Sequence, residues 1–194
     1  MKKAIYFLVA LAFALLFAAC ERGDQQTGVE GDSSQQTQVA VEKSTATDVE
    51  EGWYLDWDAG LETAAKEKRP VLAYFKAPWC QFCTLMEEET FSSTDIGQTL
   101  ASEWIAIRLD IDRKSAEGTY RGERLTYAQI AERFGIKALP SFVFLDKQAD
   151  PVRVMSGYIS KQRFGIILDY MEKELYKDNV DLEVYIATRS SSAL

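Results

Sequence analysis

The chain has 194 residues, with 22 Lys and Arg against 30 Asp and Glu, no His and three Cys, giving a net charge of −8. Its 47% hydrophobic and 12% aromatic content excludes wholesale disorder, and its length suits one domain with appendages. The missing histidine excludes a Ser-His-Asp triad, a Cys-His pair and histidine-ligated metal, and the acidity argues against nucleic-acid binding.

Lys2 and Lys3 form a basic opening, and Ala4 to Ala19 is an apolar run of 16 residues, the pattern of a secretory leader. Phe17-Ala18-Ala19-Cys20 resembles a bacterial lipobox, with Phe17 where Leu, Val or Ile is usual. Cleavage before Cys20 and lipidation of that cysteine would leave 20 basic and 30 acidic residues. An ordinary cleaved signal and an uncleaved anchor are the alternatives. Residues 21–49 contain no aromatic residue and are rich in Gln, Ser, Thr, Gly and Asp, too polar to offset their ordering entropy. They read as a tether reaching roughly 30 Å from a membrane. The expected organisation is a leader over 1–19, a lipidated Cys20 and tether over 20–50, a folded domain over 51–178 and an uncertain tail over 179–194. The expected location is the bacterial cell envelope, facing the periplasm or extracytoplasmic space, with membrane association through the lipid alone.

In the folded part, Trp53-Tyr54-Leu55 reads as a short strand. Residues 58–68 read as a helix with Asp58 as N-cap, stopped by Arg69-Pro70. Val71 to Phe75 is a continuous apolar run, expected of a strand buried on both faces. Cys80 to Phe91 reads as a helix, 96–102 as a helical turn or two, and 104–111 as a second apolar strand. Residues 112–124 are polar and read as a loop. Thr126 and Gln129 form a capping box for a helix ending near Gly135. Ser141 to Leu145 and Val152 to Met155 read as a hairpin, and Ser160 opens a last helix to about Lys177. Leu182 to Ile186 is a candidate extra strand. The alternation gives an α/β fold with a mixed central β-sheet flanked by helices. Trp53, Tyr54, Trp57 and Trp104 read as packing residues.

The sharpest chemical feature is Trp79-Cys80-Gln81-Phe82-Cys83, where a buried strand ends and a C-x-x-C opens a helix. Free N–H groups and the helix dipole there favour a thiolate at Cys80, lowering its pKa from about 8.5 into roughly the 3.5–7.5 range. Cys83 lies one turn on, able to resolve a mixed disulfide, and Trp79 restricts approach to one side. A structural disulfide or half of a zinc site are the bland alternatives. The bond would close too short a loop to stabilise much, and further zinc ligands are wanting. No cofactor is expected.

The W-C-x-x-C after an apolar strand, followed 57 residues after Cys83 by Leu139-Pro140 before a hairpin, resembles the thioredoxin superfamily. Lys68 to Val71, Glu87, Thr90-Phe91, Gly135, Pro140 to Asp146 and Gly157-Tyr158 extend the likeness to periplasmic SoxW-type thioredoxins and the C-terminal domain of DsbD. It covers roughly residues 53–176. The resemblance implies a thioredoxin-like fold and a thiol–disulfide oxidoreductase with Cys80 and Cys83 as catalytic thiols. It implies a cis Pro140 that, with Leu139 and Trp79, shapes the substrate groove. It also implies Glu87 as a proton relay to Cys83, although Glu87 opens a run of three glutamates that could be a solvated face. Partners implied are protein disulfide or thiol substrates and a transmembrane electron donor of DsbD or CcdA type, with a monomeric chain. Tyr74 departs from the buried aspartate of many thioredoxins, and Gln81-Phe82 from the dipeptides of both reducing and oxidising relatives, so redox direction stays open. Net reduction is favoured. The rivals are an oxidant of protein thiols, a binding or chaperone lipoprotein with a structural disulfide, and, more remotely, copper handling.

Overall fold

The computed structural model describes residues 49–191. The leader, Cys20 and the tether as far as residue 48 lie outside these residues. Strand β1 (Val49–Glu50) takes in the last residues assigned to the tether, pairing antiparallel with β2 (Trp53–Tyr54).

Helix α1 (Trp57–Glu67) is capped two residues earlier than expected, by Asp56 rather than Asp58. The Asp56 carboxylate accepts from the Ala59 N–H at 2.8 Å. This leaves Asp58 free to accept from the Thr119 N–H at 2.6 Å and to pair with Arg124. Lys68, with φ of 56°, closes the helix in the left-handed conformation, and Pro70 prevents its continuation.

Strand β3 (Val71–Lys76) then runs through the centre of the sheet, parallel to β4 (Ile105–Asp110) and antiparallel to β7 (Ser141–Leu145). The full order is β1-β2-β4-β3-β7-β8, with β8 (Pro151–Ser156) antiparallel at one edge. The mixed central sheet is thus present. The unbroken apolar run of β3 has the predicted cause. Leu72 and Tyr74 join one core, while Val71, Ala73 and Phe75 join the other.

The first core lies under α2 (Gln81–Leu85) with its π-helical continuation (Met86–Phe91), α3 (Thr94–Glu103), α5 (Lys161–Glu172) and α6 (Leu182–Ser191). The second lies under α1 and α4 (Tyr127–Arg133), the latter opened by the expected Thr126–Gln129 capping box. Trp53, Trp57 and Trp104 are buried in these cores, as their reading as packing residues requires.

Three expectations are corrected. The polar stretch 112–124 is not merely a loop. It contains β5 (Glu117–Tyr120) and the start of β6 (Glu123–Thr126), which form a separate hairpin. Its turn residues Arg121 and Gly122 both have positive φ, 52° and 83°, matching the twist of the flanking strands. Leu182 to Ile186 is helix, not strand. Asp181 accepts from the Val184 N–H at 2.9 Å to cap it, and Leu182 and Ile186 share one buried face four residues apart. The helix after Ser160 stops at Glu172 rather than Lys177, and Ser160 sits at the N-cap without a side-chain cap hydrogen bond. Among the described residues no helix is long and apolar enough to cross a membrane.

Candidate active site

The site forms where β3 leaves the sheet. The Cys80 N–H donates to Ala77 O at 3.1 Å, turning the chain so that Cys80 becomes the N-cap of α2. Cys80 and Cys83 are joined as a disulfide with Cα atoms 5.2 Å apart. The Cys83 N–H points at Cys80 Sγ, 3.1 Å away, a donor in place for a thiolate at that sulfur. Both cysteines are buried, Cys80 with 5% exposure and Cys83 with 1%. Trp79 and Phe82 on either side are 66% and 60% exposed. Trp79 Nε1 donates to Asp112 Oδ2 at 2.7 Å, and Asp110 Oδ1 holds the Asp112 N–H at 2.9 Å.

Pairing of Phe75 with Ser141 brings Leu139-Pro140 to the same end of the sheet as the dithiol. The Leu139–Pro140 peptide is cis, the form the resemblance implies, with Pro140 buried and Leu139 half-buried. The Gly157 N–H donates to Pro140 O at 2.8 Å, tying the β8–α5 loop to the proline. Gly157 has φ of 97°, a conformation that side chains resist.

Glu87 faces inward from its run of three acids. Lys76 Nζ lies 2.6 Å from Glu87 Oε1 and Arg108 Nε 3.9 Å from it, so two cations from adjacent strands meet one carboxylate. The Arg108 guanidinium also stacks over Trp53, 5.1 Å from the ring centre, while its buried Nε lacks a hydrogen-bond partner. Trp53, Phe91, Ala106 and Arg108 line, with Glu87, a recess of about 380 Å³ beside β2 and β4. None of residues 79–83 or 139–140 lines it. Tyr74 occupies the position of the family's buried aspartate. Its hydroxyl donates to Cys83 O at 3.3 Å and its ring stacks on Phe142. Burial first, and then the nearby Glu87, push its phenol well above the ordinary value, with Arg108 opposing, so it stays neutral.

The sequence reading missed Lys76, Arg108 and Asp112. Asp112 had a faint signal as the second acid after a strand end, whereas Lys76 and Arg108 are ordinary charges until the sheet aligns them with Glu87. Among the described residues no group of three or more Cys, Asp or Glu is arranged to hold a metal ion.

The family model for the thioredoxin-like domain matches residues 57–172. The thiol:disulfide interchange protein DsbD of Vibrio vulnificus is 29% identical over 122 residues, 62% of this chain but 18% of that protein. The human spermatogenesis-associated protein 20 is 27% identical over 62 residues, 32% of this chain and 8% of that protein. This chain therefore spans less than a fifth of the length of those relatives. Among solved structures, a thioredoxin-fold protein from Helicobacter pylori superposes with a TM-score of 0.57 at 16% identity, covering 64% of this chain and 86% of that one.

Proposed function

Because this chain belongs to the thioredoxin-like domain family, we propose that it is a thiol–disulfide oxidoreductase that reduces disulfides of partner proteins. The observation that carries this reading is the Cys80–Cys83 pair at the start of α2, with the Cys83 N–H aimed at the Cys80 sulfur. In the reduced form, the Cys80 thiolate attacks a partner disulfide. The Cys80–partner S–S bond forms as the partner's own bond breaks, releasing one partner thiolate. Cys83, deprotonated, then attacks Cys80 Sγ, closing the intramolecular disulfide and releasing the second partner thiolate. Two electrons pass to the partner, and the two protons lost by Cys80 and Cys83 equal those taken up by the released thiols. A dithiol donor must restore the pair, and the likeness to DsbD favours a transmembrane donor of that kind and net reduction.

In this reading Glu87 takes the Cys83 proton and the recess beside it connects the carboxylate to water. Pro140, Leu139 and Trp79 form the groove, and a lipidated Cys20 with the tether over 20–50 holds the domain of residues 51–178 to the membrane. The alternative is a structural disulfide, but a bond between residues only three apart closes too short a loop to stabilise the fold much. A Cys83→Ser variant expressed in its host should accumulate partner proteins on Cys80 as mixed disulfides, identifiable by mass spectrometry. Their absence while Cys80 is reduced and reacts with a thiol reagent sinks the reading. The reduced wild-type protein should also alkylate faster at pH 6–7 than an ordinary thiol.

A further inference from the structure

The dithiol helix has two flanks, and only one is used by Glu87. The other runs beside the loop that follows β8. There the Tyr158 hydroxyl donates to Glu89 Oε2 at 2.5 Å, the Ile159 N–H to Met86 Sδ at 3.2 Å, and Thr90 Oγ1 to Ile159 O at 2.8 Å. Since Gly157 of the same loop is bonded to Pro140, the loop links the proline end of the groove to the π-helical segment. Past the thiols, exposed Phe82, half-buried Leu85 and exposed Glu89 follow one another at helical spacing, with Tyr158 bonded to the last of them.

The chemistry of this helix flank is uneven. Phe82 and Trp79 are the only aromatic side chains among the large exposed hydrophobics of the described residues. An apolar ring left in water beside a reactive sulfur gains from being covered. At the other end, Glu89 makes its one hydrogen bond to a neutral hydroxyl, and no Lys or Arg of the described residues pairs with it. That hydroxyl fixes the carboxylate in place, so a cation meeting it forfeits little side-chain entropy. A net charge of −8 draws cationic segments toward the surface generally. Seven residues of helix place Glu89 about 10 Å beyond Phe82. About three residues of extended chain cover that distance.

Resting on the oxidoreductase reading, we propose that this flank selects substrates: extended disulfide-bearing segments with an apolar side chain beside the reactive cysteine and a Lys or Arg about three residues along. The apolar side chain seats on Phe82 and Leu85, and the cation pairs with Glu89. The sulfur chemistry is unchanged; the flank alters which disulfides arrive in register with Cys80.

The test uses four disulfide-bonded peptides that differ at two positions, Leu or Ser beside the cysteine and Lys or Gln three residues on. Wild-type protein should reduce the Leu/Lys peptide with kcat/KM at least about tenfold above the Ser/Gln peptide, most of it in KM. Glu89→Gln keeps an oxygen for the Tyr158 hydroxyl and should bring the Lys-over-Gln preference to about one, as should high salt in the wild type. Phe82→Ser should do the same to the Leu-over-Ser preference. Because each preference is a ratio within one variant, a general loss of activity does not mimic it. Equal turnover of the four peptides, or preferences that survive both substitutions, overturns the proposal while the oxidoreductase reading stands. Wild-type protein that fails even to reduce 2-hydroxyethyl disulfide overturns both.

Discussion

At the scale of single residues, carboxyl groups with different surroundings carry different predictions. Glu87 meets Lys76 and Arg108, and Glu87→Gln leaves both cations facing an amide. Resolution of a mixed disulfide should then slow about 10²-fold near neutral pH. Stopped-flow mixing of reduced protein with a disulfide peptide measures this, and small buffer bases should restore part of the rate, which a purely structural role would not allow. Glu172 is the opposite case. Burial raises its carboxyl above the ordinary value, and Glu103 and Asp169 add to the effect, while the hydrogen bond from Trp104 Nε1 at 3.1 Å and the nearby Lys173 oppose it. A carboxyl raised in the folded state binds more protons there than in the unfolded chain. Its contribution therefore favours folding below the unfolded pKa and is lost as pH rises through the folded one. Glu172→Gln retains the acceptor for Trp104. It should raise Tm at pH 7 by about 2 °C at most, given the group's partial exposure. The gain should vanish below about pH 4, as thermal melts across pH would reveal.

At the scale of elements, the β5–β6 hairpin depends on one close approach. A Cβ at Gly118 would lie 2.5 Å from Trp57 Cδ1 and 2.7 Å from Cγ, inside contact distance of a ring that is itself fully buried. Gly118→Ala should cost about 1–3 kcal/mol in urea unfolding, because neither the indole nor the hairpin can yield without disturbing the other. This hairpin also marks where the sequence was hard to read. The β3 run, the C-x-x-C helix and the Thr126 capping box announce themselves through local chemistry: apolar continuity, thiol spacing and reciprocal caps. The hairpin does not, since its strands are polar and its turn sets an arginine at positive φ, where asparagine or aspartate is the recognisable choice. Helix α6 reads as a candidate strand in the sequence for a related reason. Val184 and Tyr185 have strand preference, and only docking on α5 makes Leu182 and Ile186 a buried helical face. In the candidate site, Cys80 and Cys83 are legible because their spacing identifies them, and Pro140 only through the family resemblance. The cations around Glu87 were not, because strand register alone brings them there.

At the scale of the whole molecule, an acidic body with 30 Asp and Glu has no electrostatic affinity for anionic lipid, so attachment would rest on Cys20. Expressed in a bacterial host, wild-type protein should partition into the detergent phase of a Triton X-114 separation and Cys20→Ala into the aqueous phase. Equal partitioning of the two rejects the anchor. The π-helical segment Met86–Phe91 has a consequence for how the chain tolerates changes of length. Its glutamate run looks like a stretch that could shrink or grow by one without harm. Yet Glu87 on its near side is committed to Lys76 on β3, and Thr90 on its far side to the carbonyl of Ile159. Deleting one glutamate would turn either the Glu87 carboxylate or the loop clamp out of reach, so the spacing between Cys83 and Thr90 should resist insertion and deletion even where Glu88 itself accepts substitution. In a library of single-residue deletions, that short interval should stand out as the most depleted part of the dithiol helix.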